Sequence, residues 1–159
     1  MVDMMARPGH LARRFQQIAV AIFHGQVAAV GSDLTPVQYA ALAEIAADPG
    51  IDQATLAGRI AFDRATITGV IDRLEKKGLV IRAVAEADRR ARVLRITDEG
   101  RRELSRIEPA VDAAQTVLLS GLDAGEAAEL VRLLTKAITA SNDLSRAPGR
   151  GGPASIPAG

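Results

Sequence analysis

The chain has 159 residues, 48% of them hydrophobic and 25% charged, a balance that suits one soluble domain with room for an oligomerisation element. With one Tyr, three Phe and no Trp, its core must be built from Ala, Leu, Ile and Val, which favours packed helices over an aromatic-rich sandwich. The absence of cysteine excludes disulfides, thiolate metal sites and thiol switches. The longest unbroken apolar run, residues 18–23, is too short to span a bilayer, and residues 1–9 carry no apolar signal core, so the expected compartment is the cytoplasm.

The net charge of +1 hides an uneven distribution. Residues 1–51 sum to −1, residues 52–95 to +4 and residues 96–149 to −3, with Arg150 restoring the total. A basic middle between neutral or acidic flanks points to a local surface for an anionic polymer.

In chain order, residues 10–30 read as a helix, with Leu11, Phe15, Ile18 and Ile22 on one face. Thr35, Pro36 and Gln38 form a capping-box start to a helix reaching about Ala47, which Asp48-Pro49-Gly50 stops. Asp52 caps a short helix over 53–60. Asp63 caps another that carries Ile67, Val70, Ile71 and Leu74 and ends at Lys76-Lys77-Gly78. The period then shifts to two. Residues 79–84 and 92–96 read as strands of a hairpin with a charged tip, and Arg82 sits among apolar neighbours. Thr97 caps a long helix to about Leu119, which Pro109 should kink near Glu108. Asp123 and Glu126 start a last helix to about Leu144. The Gly/Pro/Ala/Ser-rich stretch from 146 to 159 reads as a disordered tail.

This order is that of a winged helix-turn-helix: mainly α with a small β-hairpin wing. Residues 34–97 form the DNA-binding part, and residues 10–33 and 98–145 a helical dimerisation region. The helix after Asp63 is the expected recognition helix. Arg64, Thr66 and Thr68 lie in its first turns, able to reach base edges and phosphates, and Arg73 suits a phosphate. Asp72 and Arg73 are equally able to serve as surface ion-pairing groups. The wing tip gathers Asp88, Arg89, Arg90 and Arg92, a basic finger suited to the minor groove.

Three runs carry a resemblance: Leu34-Thr35-Pro36-Val37-Gln38-Tyr39, Leu56-Ala57-Gly58-Arg59, and Val70 through Val80. A fourth is Asp88-Arg89-Arg90 followed by Leu94-Arg95-Ile96-Thr97-Asp98-Glu99-Gly100. Over residues 10–145 the chain resembles the MarR family of transcriptional regulators. The resemblance implies a homodimer with interlocked terminal helices on a near-palindromic operator, usually as a repressor. It implies release by a small aromatic or anionic compound held between the dimer helices and the winged domain. It also implies that Arg90 enters the minor groove, oriented by a salt bridge from Asp88. The apolar surface of the terminal helices, larger than a lone winged domain needs, points to the dimer independently.

Candidate effector contacts are His10, Arg14, His24 and Tyr39. For each a structural role competes, and His24 among apolar neighbours reads first as a packed core histidine. Phe15 and Phe62 read as core. The two histidines lie 14 residues apart on one helix, ~21 Å at ~1.5 Å per residue, too far to share one ion. No cofactor is expected. An enzyme has no support in nucleophile, phosphate loop or metal spacing. The other readings are a metal-responsive or ligand-independent winged-helix regulator and a winged-helix module that binds only protein.

Overall fold

A computed structural model describes residues 3–150. After a short 3-10 turn at Met4–Ala6, the elements are α1 (Pro8–Ala29), α2 (Pro36–Ala47), α3 (Gln53–Arg59), α4 (Arg64–Lys76), β1 (Val80–Val84), β2 (Arg92–Ile96), α5 (Asp98–Leu118) and α6 (Ala124–Ser141), then a second 3-10 turn at Asn142–Leu144.

The starts of α2 to α6 are set by side chains that accept from the third residue onward, satisfying amide groups the helix itself leaves open. Thr35 caps α2 and Gln38 returns a bond to the Thr35 amide; Asp123 and Glu126 do the same for α6. Asp52 caps α3, Asp63 caps α4 and Thr97 caps α5. Gly78, at φ 73°, takes the left-handed position just after α4, where a side chain would be strained.

β1 and β2 pair antiparallel with Val80 opposite Ile96 and Val84 opposite Arg92, forming the wing. The winged unit closes on one core. Leu42 and Ile45 of α2, Leu56 of α3, Ile67, Ile71 and Leu74 of α4, and Val80 and Leu94 of the wing are all buried. Phe23 and Val27 of α1 and Ile107 and Val111 of α5 continue that core, so α1 packed along α5 is the pedestal on which the winged unit sits. The α1–α2 loop is tied down as well. The Ser32 hydroxyl donates to Glu103 at 2.5 Å, and Arg106 bonds both Glu103 and the Val30 carbonyl.

Where α5 begins, the Leu79 carbonyl accepts the Thr97 amide at 3.0 Å, and the Thr97 hydroxyl donates to the Gly78 carbonyl at 2.6 Å. Gly100 is buried so tightly there that a Cβ would collide with the Leu79 carbonyl and the Ile96 side chain.

Helix α5 runs as one long element with Pro109 inside it, as expected, and Ile107, Ala110, Val111 and Ala114 are buried on either side of the proline. Two features differ from the sequence expectations. Phe62, expected in the core, is 38% exposed in the turn between α3 and α4. The tail expected from 146 has structure at its start: the Asn142 side chain brackets Gly149 with bonds of 3.0 and 2.8 Å, and the Arg150 amide donates to the Gly58 carbonyl at 2.6 Å. The rest of that tail, 151–159, lies outside the described residues.

Helix α6 is the exception to the packing. None of its residues is buried, although Val131, Leu133, Leu134 and Ile138 are all large and apolar.

Candidate nucleic-acid interface

Helices α3 and α4 meet through the turn Ile60-Ala61-Phe62-Asp63. Ala61 takes a left-handed backbone, φ 54°, that a residue with a Cβ adopts at a cost of about 1 kcal/mol or more. That turn aims the start of α4 outward. Arg64, the first residue of α4, is exposed and has no carboxylate partner among the described residues.

The two threonines expected beside it are partly committed. The Thr66 hydroxyl donates to Asp63 at 2.6 Å, and the Thr66 amide donates to the same carboxylate at 2.9 Å, so this residue belongs to the cap. These bonds hold the Asp63 carboxyl below its ordinary pKa, chiefly the one from the Thr66 hydroxyl. The Thr68 hydroxyl donates to the Arg64 carbonyl at 2.9 Å and accepts from the Gln53 side-chain amide at 2.7 Å. Its proton is therefore spent on its own helix. Gln53, which the sequence did not single out, is the clamp between α3 and α4. No local signal marks it, because its reach depends on how the two helices cross.

Arg73 is exposed and pairs with no acid among the described residues. Its neighbour Asp72 is engaged elsewhere: Arg82 of β1 bonds Asp72 at 2.7 Å and Glu75 at 2.6 Å, fastening the wing to α4. Burial opposes the Arg82 charge, but the two carboxylates outweigh it and raise its pKa. Asp72 and Glu75, three apart on one helical face, were the readable half of this clamp.

At the wing tip Arg89, Arg90 and Arg92 are exposed, and none has a carboxylate partner among the described residues. The nearest wing ion pair is a loose one, Arg95 to Glu86 at 3.8 Å. Among the described residues the fold thus presents five exposed guanidinium groups without a carboxylate partner, Arg64 and Arg73 on α4 and three on the wing.

The sequence profile of the MarR family matches residues 34–91, from the start of α2 to the wing tip. The HTH-type transcriptional repressor NicR of Pseudomonas putida is 32% identical over 86% of this chain and 85% of its own length. The chain belongs to the MarR family. Two solved structures agree with the MarR fold seen here. The PcaV transcriptional regulator from Streptomyces coelicolor, in complex with its natural ligand, matches with a TM-score of 0.80 and 36% identity over 89% of this chain and 98% of that one. Bordetella bronchiseptica BpsR, whose DNA binding is regulated by 6-hydroxynicotinic acid, matches with a TM-score of 0.80 and 29% identity over 86% and 96%.

Within this MarR fold the wing signature acts differently from the expectation. Asp88 makes no salt bridge to Arg90 among the described residues. Its carboxylate accepts the Arg90 backbone amide at 2.9 Å, and the Ala91 amide closes the turn on the Asp88 carbonyl at 3.0 Å. Asp88 shapes the turn and leaves the Arg90 guanidinium uncommitted, which suits a group meant for an external anion.

The four effector candidates do not share one pocket. Arg14 lines an apolar groove of about 470 Å³ between α1 and α6, with Leu11, Phe15, Ile18, Leu130 and Leu134. Phe15, expected as core, is therefore a half-buried groove residue. His10 is partly buried, and its Nε2 has no hydrogen-bond partner among the described residues. His24 is exposed, its ring edge-on to Phe23 at 6.0 Å, which corrects its reading as a packed histidine. Tyr39 packs 6.1 Å from Phe23. Burial, then the negative charges of Glu108 and Asp112, raise its phenol pKa, so the ring stays a neutral donor. Among the described residues no helix is long and apolar enough to cross a membrane, and no cluster of three or more metal-binding side chains occurs.

Proposed function

We propose that this MarR-family regulator is a homodimeric repressor that binds a near-palindromic operator and leaves it when a small aromatic effector, phenolic or carboxylic, binds. The observation that carries the reading is the set of exposed guanidinium groups on α4 and the wing tip that have no carboxylate partner among the described residues. An exposed cation without an internal partner is available to replace the counterions of a DNA phosphate. The exposed apolar faces of α1 and α6 support the dimer, and a two-fold pair would set two recognition helices about one DNA turn, ~34–36 Å, apart. NicR supports repression by name, and BpsR supports control of DNA binding by a hydroxylated aromatic acid. A cytoplasmic location follows from the same reading.

Release is a coupling between two sites. The effector must bind the operator-competent and incompetent dimers unequally, and ten-fold release needs only about 1.4 kcal/mol of difference. The test is a gel-shift titration on the intergenic DNA beside the chain's own gene, with a panel of aromatic acids that includes 6-hydroxynicotinic acid. Arg90→Ala should weaken binding at least about ten-fold and lower the salt slope. Unchanged affinity and slope would remove the wing from the interface, and no binding by the unaltered chain would end the reading.

A further inference from the structure

The segment after α6 does not trail away. It crosses to the helix-turn-helix and lies against the outer side of α3 and the turn before α4. One hydrogen bond seats it on α3, and others fold the strap on itself. The Arg150 amide donates to the Gly58 carbonyl at 2.6 Å, the Asn142 side-chain amide grips Gly149 at both ends, and the Ala147 amide donates to the Ser145 hydroxyl at 3.2 Å. The seat is shaped for it. A Cβ on Gly58 would lie 3.1 Å from the Arg150 Cβ, and one on Gly149 would lie 3.6 Å from the Ala61 Cβ, at the turn residue with the left-handed backbone. Glycine at 58 admits the strap at van der Waals distance.

What the strap delivers is charge. Its Arg146 and Arg150 line one polar groove of about 390 Å³ together with Phe62, Asp63 and Arg64. The single acid in that groove, Asp63, is occupied in capping α4. Neither Arg146 nor Arg150 has a carboxylate partner among the described residues. Three guanidinium groups, two from the far end of the chain, therefore surround the entry to the recognition helix.

We propose that this strap is a third DNA-contacting element, in which Arg146 and Arg150, docked on Gly58, bind backbone phosphates beside the group reached by Arg64. The proposal rests on the DNA-binding reading above and goes past it, since the winged unit alone supplies only α4 and the wing. Position selects the ligand. In a helix-turn-helix the first helix crosses the sugar–phosphate backbone while the start of the second reaches the bases, so cations laid over that junction meet phosphates. Sign argues the same way. A strap that blocked the site would bring acids to Arg64, whereas this one brings Arg146 and Arg150 into the groove and leaves its one acid, Asp143, outside the groove lining.

The experiment uses the full chain and two fluorescein-labelled duplexes, a mixed-sequence one about three helical turns long and the intergenic fragment, followed by anisotropy from low to physiological salt. Arg146→Ala with Arg150→Ala should lower affinity for both duplexes about equally, by roughly ten-fold at low salt. It should also reduce the salt slope by about 0.9 for each phosphate left unneutralised. Arg146→Lys with Arg150→Lys should restore most of that slope, because a phosphate accepts either point charge. Gly58→Val keeps every charge but fills the seat, and it should mimic the alanine pair, with thermal melts confirming the fold of each variant. Unchanged affinity and slope in the alanine pair, or tighter binding, overturns the strap while leaving DNA binding intact. Normal binding by Gly58→Val beside weak binding by the alanine pair overturns the docked geometry. No salt-dependent binding by the unaltered chain overturns the DNA-binding reading, and the strap with it.

Discussion

The winged unit and helix α6 are made of similar residues and end in opposite conditions. In the first, Leu42, Ile45, Leu56, Ile71 and Leu74 are fully buried, and of the large apolar side chains only Phe62, Ile81 and Val84 are exposed. In the second, Leu133 is 47% exposed and Ile138 64%, and no residue is buried. Composition does not separate the two regions; what differs is whether the chain itself covers the apolar face. The winged unit closes its core within one chain, while α6 leaves its apolar face open, the face that the proposed homodimer would cover.

That contrast can be broken in steps. The largest effect belongs to Leu134→Glu with Ile138→Glu. Sedimentation should find the unaltered chain dimeric and the variant monomeric, with the dimer dissociation constant raised at least about a hundred-fold, because four carboxylates would enter an apolar seam unpaired. A variant that stays dimeric would place the seam elsewhere. Next comes Leu42→Ala inside the winged unit, which should cost about 2–5 kcal/mol of unfolding free energy in urea and leave the subunit count unchanged.

The smallest effect concerns acid. Thr55 donates to the Asp52 carboxylate from its amide at 2.8 Å and its hydroxyl at 2.6 Å, and these bonds hold Asp52 below the ordinary aspartate pKa. Asp33, ion-paired with Lys77, is lowered in the same way. A carboxyl whose folded pKa is depressed stabilises fully above the unfolded value, and that stabilisation is lost as pH falls through the folded one. Stability should therefore be level between about pH 7 and 5 and decline below about pH 4. Asp52→Asn should keep the cap and flatten part of that decline, whereas Asp52→Ala should cost about 1 kcal/mol at neutral pH. A decline of the same slope in Asp52→Asn would deny the cap its share.

The caps on α2 to α6 could be read from the chain because each joins a side chain to an amide three residues away, a distance the sequence states directly. The same holds for the strands, the glycine after α4 and the arginine-rich wing tip. Groups whose partners lie far along the chain could not be read this way. Asp72 looked as ready to pair with Arg73 as with anything else, and only the fold of the wing brings Arg82 to it. Thr68 gives no sign of accepting from Gln53 until the fold brings α3 near enough. His24 has apolar sequence neighbours but faces outward, because α1 turns Phe23 and Val27 inward. The segment from 146 has the composition of a loose end, and its seat on Gly58 is a shape that no local pattern announces.

Gly100 has a mechanical consequence. It stands where the wing hands over to α5, and α5 runs from there to the pedestal, so wing and pedestal share one unbroken lever. With no side chain at 100, the lever rests directly on the Leu79 carbonyl. Even one methyl would lift it off that fulcrum and tilt the winged unit on its pedestal, altering the stance of the claw while leaving its grip intact.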